Sequence, residues 1–241
     1  MTDSVSNGGA PQGAARQREA RQRWRLVVAR AAAGTTQRDV ERAWEAALVA
    51  SGLPWAPSST RAAPRLAFGA PLPTGIGGEA ELVDLFLAER LPMYQVREAV
   101  ERSIPLGDRL LDLHDVWLGE PGLPSLVVGA DYRATLGPVD VASLSHAVAR
   151  FLDARSVPTE RRKGDRVRTL DLRRLVDDIV CRPTQDGVVL RMRLRHDPDL
   201  GNARAEDVLA ALRDLGAGPI DAVAIVRERL RLAGDDPQAS I

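Results

Sequence analysis

The chain has 241 residues, enough for one large domain or two small ones. Hydrophobic residues make up 44% and charged residues 27%. The 33 basic side chains balance 33 acidic ones, so there is no global basic field for nucleic acid, and any electrostatic function rests on local clustering. No apolar run approaches a membrane helix, the N-terminal stretch lacks the apolar segment of a secretory signal, and a single cysteine, Cys181, excludes an internal disulfide, a thiolate zinc site and an iron–sulfur cluster held by this chain alone; the expectation is a cytoplasmic protein without a membrane partner.

Residues 1–20 are rich in Gly, Ala, Gln and Ser without an apolar period and are expected to form a disordered basic arm, with a second disordered segment at 233–241. Trp24 to Ala29 reads as a strand. Val40, Ala43, Trp44, Ala47 and Leu48 recur at the spacing of one buried helical face; Thr36 and Asp39 form a capping-box pair before it, and Gly52 and Pro54 close it. A proline-rich loop, 54–64, leads to a strand at 65–68, and alternation over 81–87 marks a third. PTGIGG at 73–78 reads as a turn between them, since no helix follows to make a phosphate-binding loop. Pro92 opens a helix with Val96, Val100 and Ile104 inward, and 110–118 is a fourth strand.

That βαββαβ order then recurs. A strand at 125–136 precedes a helix carrying Val141, Leu144, Val148 and Phe151. Residues 165–181 hold a strand with a helical insertion near 172–179, and 188–196 is a strand. Asn202 is placed to cap a helix bearing Ala205, Val208, Leu209, Leu212 and Leu215, and 222–232 is the last strand. The fold class expected is α+β: two tandem ferredoxin-like units, 21–120 and 121–232, each an antiparallel sheet with helices on one face.

An arginine ladder is the sharpest local feature. Alternation puts Arg191, Arg193 and Arg195 on one face of their strand, and the same parity argument groups Arg227, Arg229 and Arg231. The segment from Arg155 to Arg174 adds eight basic residues, Arg166 and Arg168 among them, and the run from Arg16 to Arg30 is basic as well. On an uncovered sheet face such residues would contact RNA phosphates, with Tyr132 as the one aromatic available for stacking. The plainer reading is a solubilising face in a chain where Arg is the default basic residue and Lys163 the only lysine. His114 and His146 read as surface residues and Cys181 as packing. His196, at the end of the ladder, has no visible catalytic partner, and no triad, phosphate loop or metal-ligand spacing is present. No catalytic or metal-binding residue is assigned.

The runs RDVERAWEAALVASGLPWAPSS and PRLAFGAPLPTGIGGEAELVDLFL, with IPLGDRLLDLHDV and PSLVVGADYRATL after them, resemble the radical-SAM-linked family of unknown function, whose members are fused to or encoded beside cobalamin-binding radical SAM proteins. Asp39, Arg42, Gly52, Leu53, Pro54, Ser58, Pro71, Leu72, Pro73, Gly75, Glu81 and Asp84 match the family's pattern, over a resemblance spanning residues 24 to 232. Two motifs depart from it: Gln37 stands where the family has a histidine, and the segment 60–64 is one residue short. The resemblance implies a radical SAM protein as partner, which would supply the iron–sulfur cluster, S-adenosylmethionine and cobalamin, with no cofactor bound by this chain. The expected function is therefore a non-catalytic accessory that binds substrate for that partner, with tRNA or rRNA as the candidate on the arginine-rich face. An RNA-processing nuclease of tandem ferredoxin-like type, using His196 or Tyr132, and a protein-docking module built on the 54–64 loop and the PLPTG turn are the alternatives.

Overall fold

The structure is a computed structural model and describes residues 19–164 and 166–235. The expected arm at 1–20 and tail at 233–241 thus lie mostly outside the described residues.

The first unit runs β1 (Gln22–Arg30), α1 (Gln37–Ala50), β2 (Leu66–Phe68), β3 (Gly77–Leu87), α2 (Met93–Ser103) and β4 (Asp108–Val116). Its strands lie in the order β4-β1-β3-β2, every neighbour antiparallel, which is the ferredoxin-like arrangement. Alternation decides the faces. Trp24, Leu26 and Val28 of β1 and Val83, Leu85 and Leu87 of β3 share a core with Trp44 and Leu48 of α1 and Val96 and Val100 of α2. The capping box forms: the Thr36 hydroxyl accepts from the Asp39 N–H, and the Asp39 carboxylate accepts from the Thr36 N–H.

The second unit runs α3 (Leu123–Leu126), β5 (Val127–Leu136), α4 (Val141–Asp153), β6 (Pro158–Lys163), β7 (Arg166–Asp171), α5 (Leu172–Leu175), β8 (Val176–Thr184), β9 (Gly187–Asp197), β10 (Gly201–Asn202), α6 (Ala205–Leu212) and β11 (Ala222–Leu232), with a π turn at Arg213–Ala217 after α6. Set aside the β6–β7 ribbon and the same βαββαβ unit appears, its strands in the order β8-β9-β5-β11. The two sheets join edge to edge. β11 pairs parallel with β3 at Val226↔Gly77 and Arg227↔Gly78, while β2 covers the other end of the same edge, giving one nine-stranded sheet. The helices pack on one side of it: Leu144, Val148 and Phe151 of α4 and Val208, Leu209 and Leu212 of α6 bury against Tyr132, Ala134, Leu190, Met192 and Leu194.

Several elements differ from the sequence-based reading. The β6–β7 ribbon was not expected; it pairs from Pro158↔Asp171 to Lys163↔Arg166 around Gly164 at φ +59°, a value that suits glycine. Helix in the 172–179 segment stops at Leu175, because β9 supplies the hydrogen bonds of Val176–Thr184. Asn202 does not cap α6. It pairs with His196 in β10, and Arg204 takes the N-cap position without a side-chain hydrogen bond. Arg23 and Arg25, counted with a basic run open to phosphate, are buried in β1, and Arg30 pairs with Asp108.

Candidate functional site

The side of the sheet away from the helices carries the arginine ladder, and the structure revises its membership. A bulge in β11 sets Arg227 opposite Tyr132 but Arg229 opposite Asp131. Arg227 therefore turns to the helix side, where it is 2% exposed, while Arg229 and Arg231 keep company with Arg191, Arg193 and Arg195 of β9. Tyr132 also lies on the helix side, 6% exposed, and has no access to bases on the open face.

The open-face arginines are held in pairs by shared carboxylates. Glu228 accepts from Arg133 Nε at 2.9 Å and lies 3.3 Å from Arg191 Nη2. Asp131 accepts from Arg193 Nε at 3.3 Å and Arg229 Nε at 2.7 Å. Asp177 pairs with Arg195 and lies 3.6 Å from Arg231 Nη1. Glu79 also accepts from Arg133. In these pairs six arginines meet four carboxylates. The sequence reading missed Arg133 and its carboxylate partners. The alternation of Asp131 and Arg133 with the apolar Ala130 and Ala134 is the signal that could have found them.

The other expected basic positions serve the ribbon. Arg161 Nε donates to Asp207 of α6 at 2.7 Å, Arg168 Nη2 donates to the carbonyls of Asp199 and Leu200 at 3.2 and 3.3 Å, and Arg173 donates to those of Leu152 and Val176, each at 2.9 Å. The side chain of Arg166 lies outside the described residues.

The positions that the sequence resemblance singles out divide by role. Asp39 completes the α1 cap, and Arg42 is exposed on the same helix. Ser58 is half-buried in the proline-rich loop, its N–H donating to the Ala63 carbonyl. Asp84 is fully buried on the open side of β3 and takes hydrogen bonds from Arg23 and Arg25; Arg23 also donates to the carbonyls of Glu120 and Pro121, so the loop after β4 closes over the pair. Glu81, on the helix side of β3, holds Arg227 through Nε at 2.8 Å and through Nη2, while Arg227 also donates to the carbonyls of Ala70 at 2.8 Å and Pro71 at 3.1 Å. Burial works against the Arg227 charge, and the hydrogen bonds and charge of Glu81 outweigh it, so the guanidinium is held more firmly protonated than usual.

Above Arg227 lies a cavity of about 630 Å³ at the seam of the two units. The start of α1 (Thr36, Gln37) and the PLPT segment (Pro71 to Thr74) border it from the first unit. Tyr132, His196, Asn202, Arg204 and Glu206 border it from the second, and Leu72, Val127, Leu194 and Leu230 form an apolar wall. Burial raises the Tyr132 phenol above its usual range despite Arg227 beside it, so the phenol keeps its proton. Burial, then the Arg227 charge, holds His196 below the usual imidazole range and favours the neutral ring. The sequence reading singled out PLPTG, Gln37, Tyr132 and His196 separately; the fold brings them together.

His114 and His146 are exposed on β4 and α4, and Cys181 is half-buried on β8 with its thiol pushed up by burial. The histidines stand apart, and among the described residues no three His, Cys, Asp or Glu side chains gather to hold a metal ion. One cysteine does not fit an iron–sulfur cluster. No helix among the described residues is long and apolar enough to cross a membrane.

Two βαββαβ units sharing one sheet, with a polar cavity at the seam and a clamped arginine network behind it, define an α+β tandem architecture. The chain belongs to the family DUF2344, described as an uncharacterized protein conserved in bacteria, which it matches over residues 16–203. No curated protein matches it. Among solved structures it is similar to a chain of a Cbf5–Nop10–Gar1 complex, at 13% identity and a TM-score of 0.46 over 85% of this chain and 49% of that one. It is also similar to a chain of an H/ACA RNP bound to a substrate RNA containing 2′-deoxyuridine, at 14% identity and a TM-score of 0.43 over 85% and 47%. The chain thus spans about half the length of those it resembles.

Proposed function

We propose that this protein is a non-catalytic accessory of a radical SAM enzyme and that it holds a single strand of RNA by its phosphates on the open face of the second unit. The observation that carries the RNA reading is the clamped network. Arg191, Arg193 and Arg195 repeat every second residue of β9, so their anchors are about 6.8 Å apart, a spacing suited to successive phosphates of an extended strand. Each bridging carboxylate fixes two guanidinium planes, so the arginines of this face are held in a set arrangement before any strand arrives. With Tyr132 on the other side, the described strands of the second unit place no aromatic ring on this face, and the binding expected is to backbone and indifferent to sequence. The nuclease reading is disfavoured because Tyr132 lies on the helix side, opposite the face that carries Arg191 and Arg193. The radical SAM partnership is supported by the sequence resemblance; the cluster, S-adenosylmethionine and cobalamin would be the partner's.

Gel-shift titration with a single-stranded RNA at two salt concentrations tests the reading. In the variant Arg191→Gln/Arg193→Gln/Arg195→Gln each bridging carboxylate keeps one arginine, so the fold is expected to hold. Loss of three phosphate contacts should flatten the log–log salt slope by about 2. No shift with the wild-type protein at low salt, or an unchanged slope in the triple variant, rejects RNA binding on this face. Partnership is read separately, by co-elution with a radical SAM protein of the same genome; independent elution rejects it.

A further inference from the structure

We propose that the open side of the first unit gives the bound RNA strand a second foothold, where a base stacks on the indole of Trp117 and a neighbouring phosphate meets the guanidinium of Arg65. The inference rests on the RNA reading and supplies the aromatic platform that the strands of the second unit lack.

Trp117 takes the base. It is 77% exposed, whereas Trp24 and Trp44 are buried and Trp55 is half-buried. The ring is nevertheless held in place. Trp117 opens a turn that the Glu120 N–H closes by donating to its carbonyl at 3.0 Å. The indole lies so close to Gly119 that a Cβ there would come within 2.5 Å of it. The turn is anchored in its turn, since Arg23 donates to the carbonyls of Glu120 and Pro121 and Arg25 lies 3.3 Å from the Glu120 carboxylate. A ring that is already fixed loses little freedom when a flat partner stacks on it, and every nucleobase offers such a face.

Arg65 takes the phosphate. Leu66 pairs with Leu85, which sets Arg65 across from Phe86 on the open side. The exposed guanidinium lies 4.0 Å from the centre of the Phe86 ring, and stacking fixes its plane. Among the described residues no carboxylate pairs with it and no side-chain hydrogen bond engages it, so its N–H fork is open. Arg65 borders a cavity of about 520 Å³ together with Ser58, Ser59 and Leu118, the residue next to Trp117, so the two footholds share a rim. Glu19 borders the same cavity and opposes a phosphate.

The topology connects this rim to the arginine ladder. β11 runs parallel to β3, and β9 and β4 share that direction through β5 and β1, so all four strands finish at one end of the sheet. Arg195 and Arg231 lie toward that end on the second unit, and Phe86 and Trp117 lie at it on the first. One extended strand on the open side can meet both.

Titration of the full chain with a short single-stranded oligoadenylate tests this, read by tryptophan emission and by affinity at two salt concentrations. Stacking should quench the emission. Trp117→Ala should abolish the quench and weaken binding about tenfold at either salt concentration, the effect of one lost base stack, with the log–log salt slope unchanged. Gly119→Ala, which displaces the ring without removing it, should weaken binding as well. Arg65→Gln should flatten the slope by about 0.7, the share of one phosphate contact on a single strand. Glu19→Gln should tighten binding. Trp117 and Arg65 are exposed, so both variants are expected to fold. Binding that Arg191→Gln/Arg193→Gln/Arg195→Gln weakens while Trp117→Ala and Arg65→Gln leave it unchanged overturns this inference and spares the RNA reading. No binding by the wild-type protein at low salt defeats both.

Discussion

Asp84 offers the sharpest test of how this sheet holds buried charge. It is 0% exposed and accepts four hydrogen bonds: Arg23 Nε at 2.8 Å and Nη2 at 2.5 Å, Arg25 Nε at 2.8 Å and Nη2 at 3.1 Å. Asp84→Asn keeps the shape but removes the charge and turns an amide NH₂ toward guanidinium donors. Arg23 would keep the carbonyls of Glu120 and Pro121, and Arg25 only the Glu120 carboxylate at 3.3 Å. Breaking a buried ion pair costs about 3–5 kcal/mol, and two arginines losing the carboxylate they share argue for the upper half of that range. At about 2–4 °C per kcal/mol for a chain of this size, the melting temperature should fall by roughly 8–20 °C. Urea unfolding at neutral pH gives the free energy from the midpoint, with the slope unchanged if two-state behaviour holds. The triple variant Arg23→Met/Arg25→Leu/Asp84→Leu should regain most of the loss, since an apolar cluster of similar volume carries no unpaired charge. A single variant within about 1 kcal/mol of wild type would refute the claim that Asp84 is what keeps these arginines buried.

Glu81→Gln should also destabilise, by roughly 3 kcal/mol, because Arg227 is as deeply buried and its remaining partners are neutral carbonyls; an unchanged urea midpoint would contradict this. His196 gives a pH signature. Its folded pKa lies below the ordinary value of 6.5, so the unfolded chain takes up a proton first, and stability falls as pH drops from about 6.5 toward the lower folded value. His196→Gln removes that contribution, and wild type should lose more stability than the variant between pH 7.5 and pH 5.5. Parallel losses in paired urea melts would show that His196 is not held neutral.

Local chemistry explains which parts of this architecture are readable without coordinates. The α1 cap needs only Thr36 and Asp39 three residues apart, and its buried face needs only the spacing of Trp44 and Leu48, so both were legible. The faces of β9 follow from strict alternation, and the outward set of Arg191, Arg193 and Arg195 was legible too. The same parity failed in β11, where one bulge turns Arg227 into the core, because a bulge depends on how β5 registers against β11. Helix and strand competed evenly over 172–179, and the edge offered by β9 settled them.

The sequence by itself determined the α+β class, the order of the two βαββαβ units and the apolar faces, since each depends on residues near one another along the chain. Only the tertiary structure decided which charges neutralise which, how β11 joins β3, and that PLPT, the start of α1, Tyr132 and His196 enclose one cavity. The reason is physical. A carboxylate such as Glu81 meets Arg227, 146 residues away, through the closure of a sheet seam, and no local pattern records that distance.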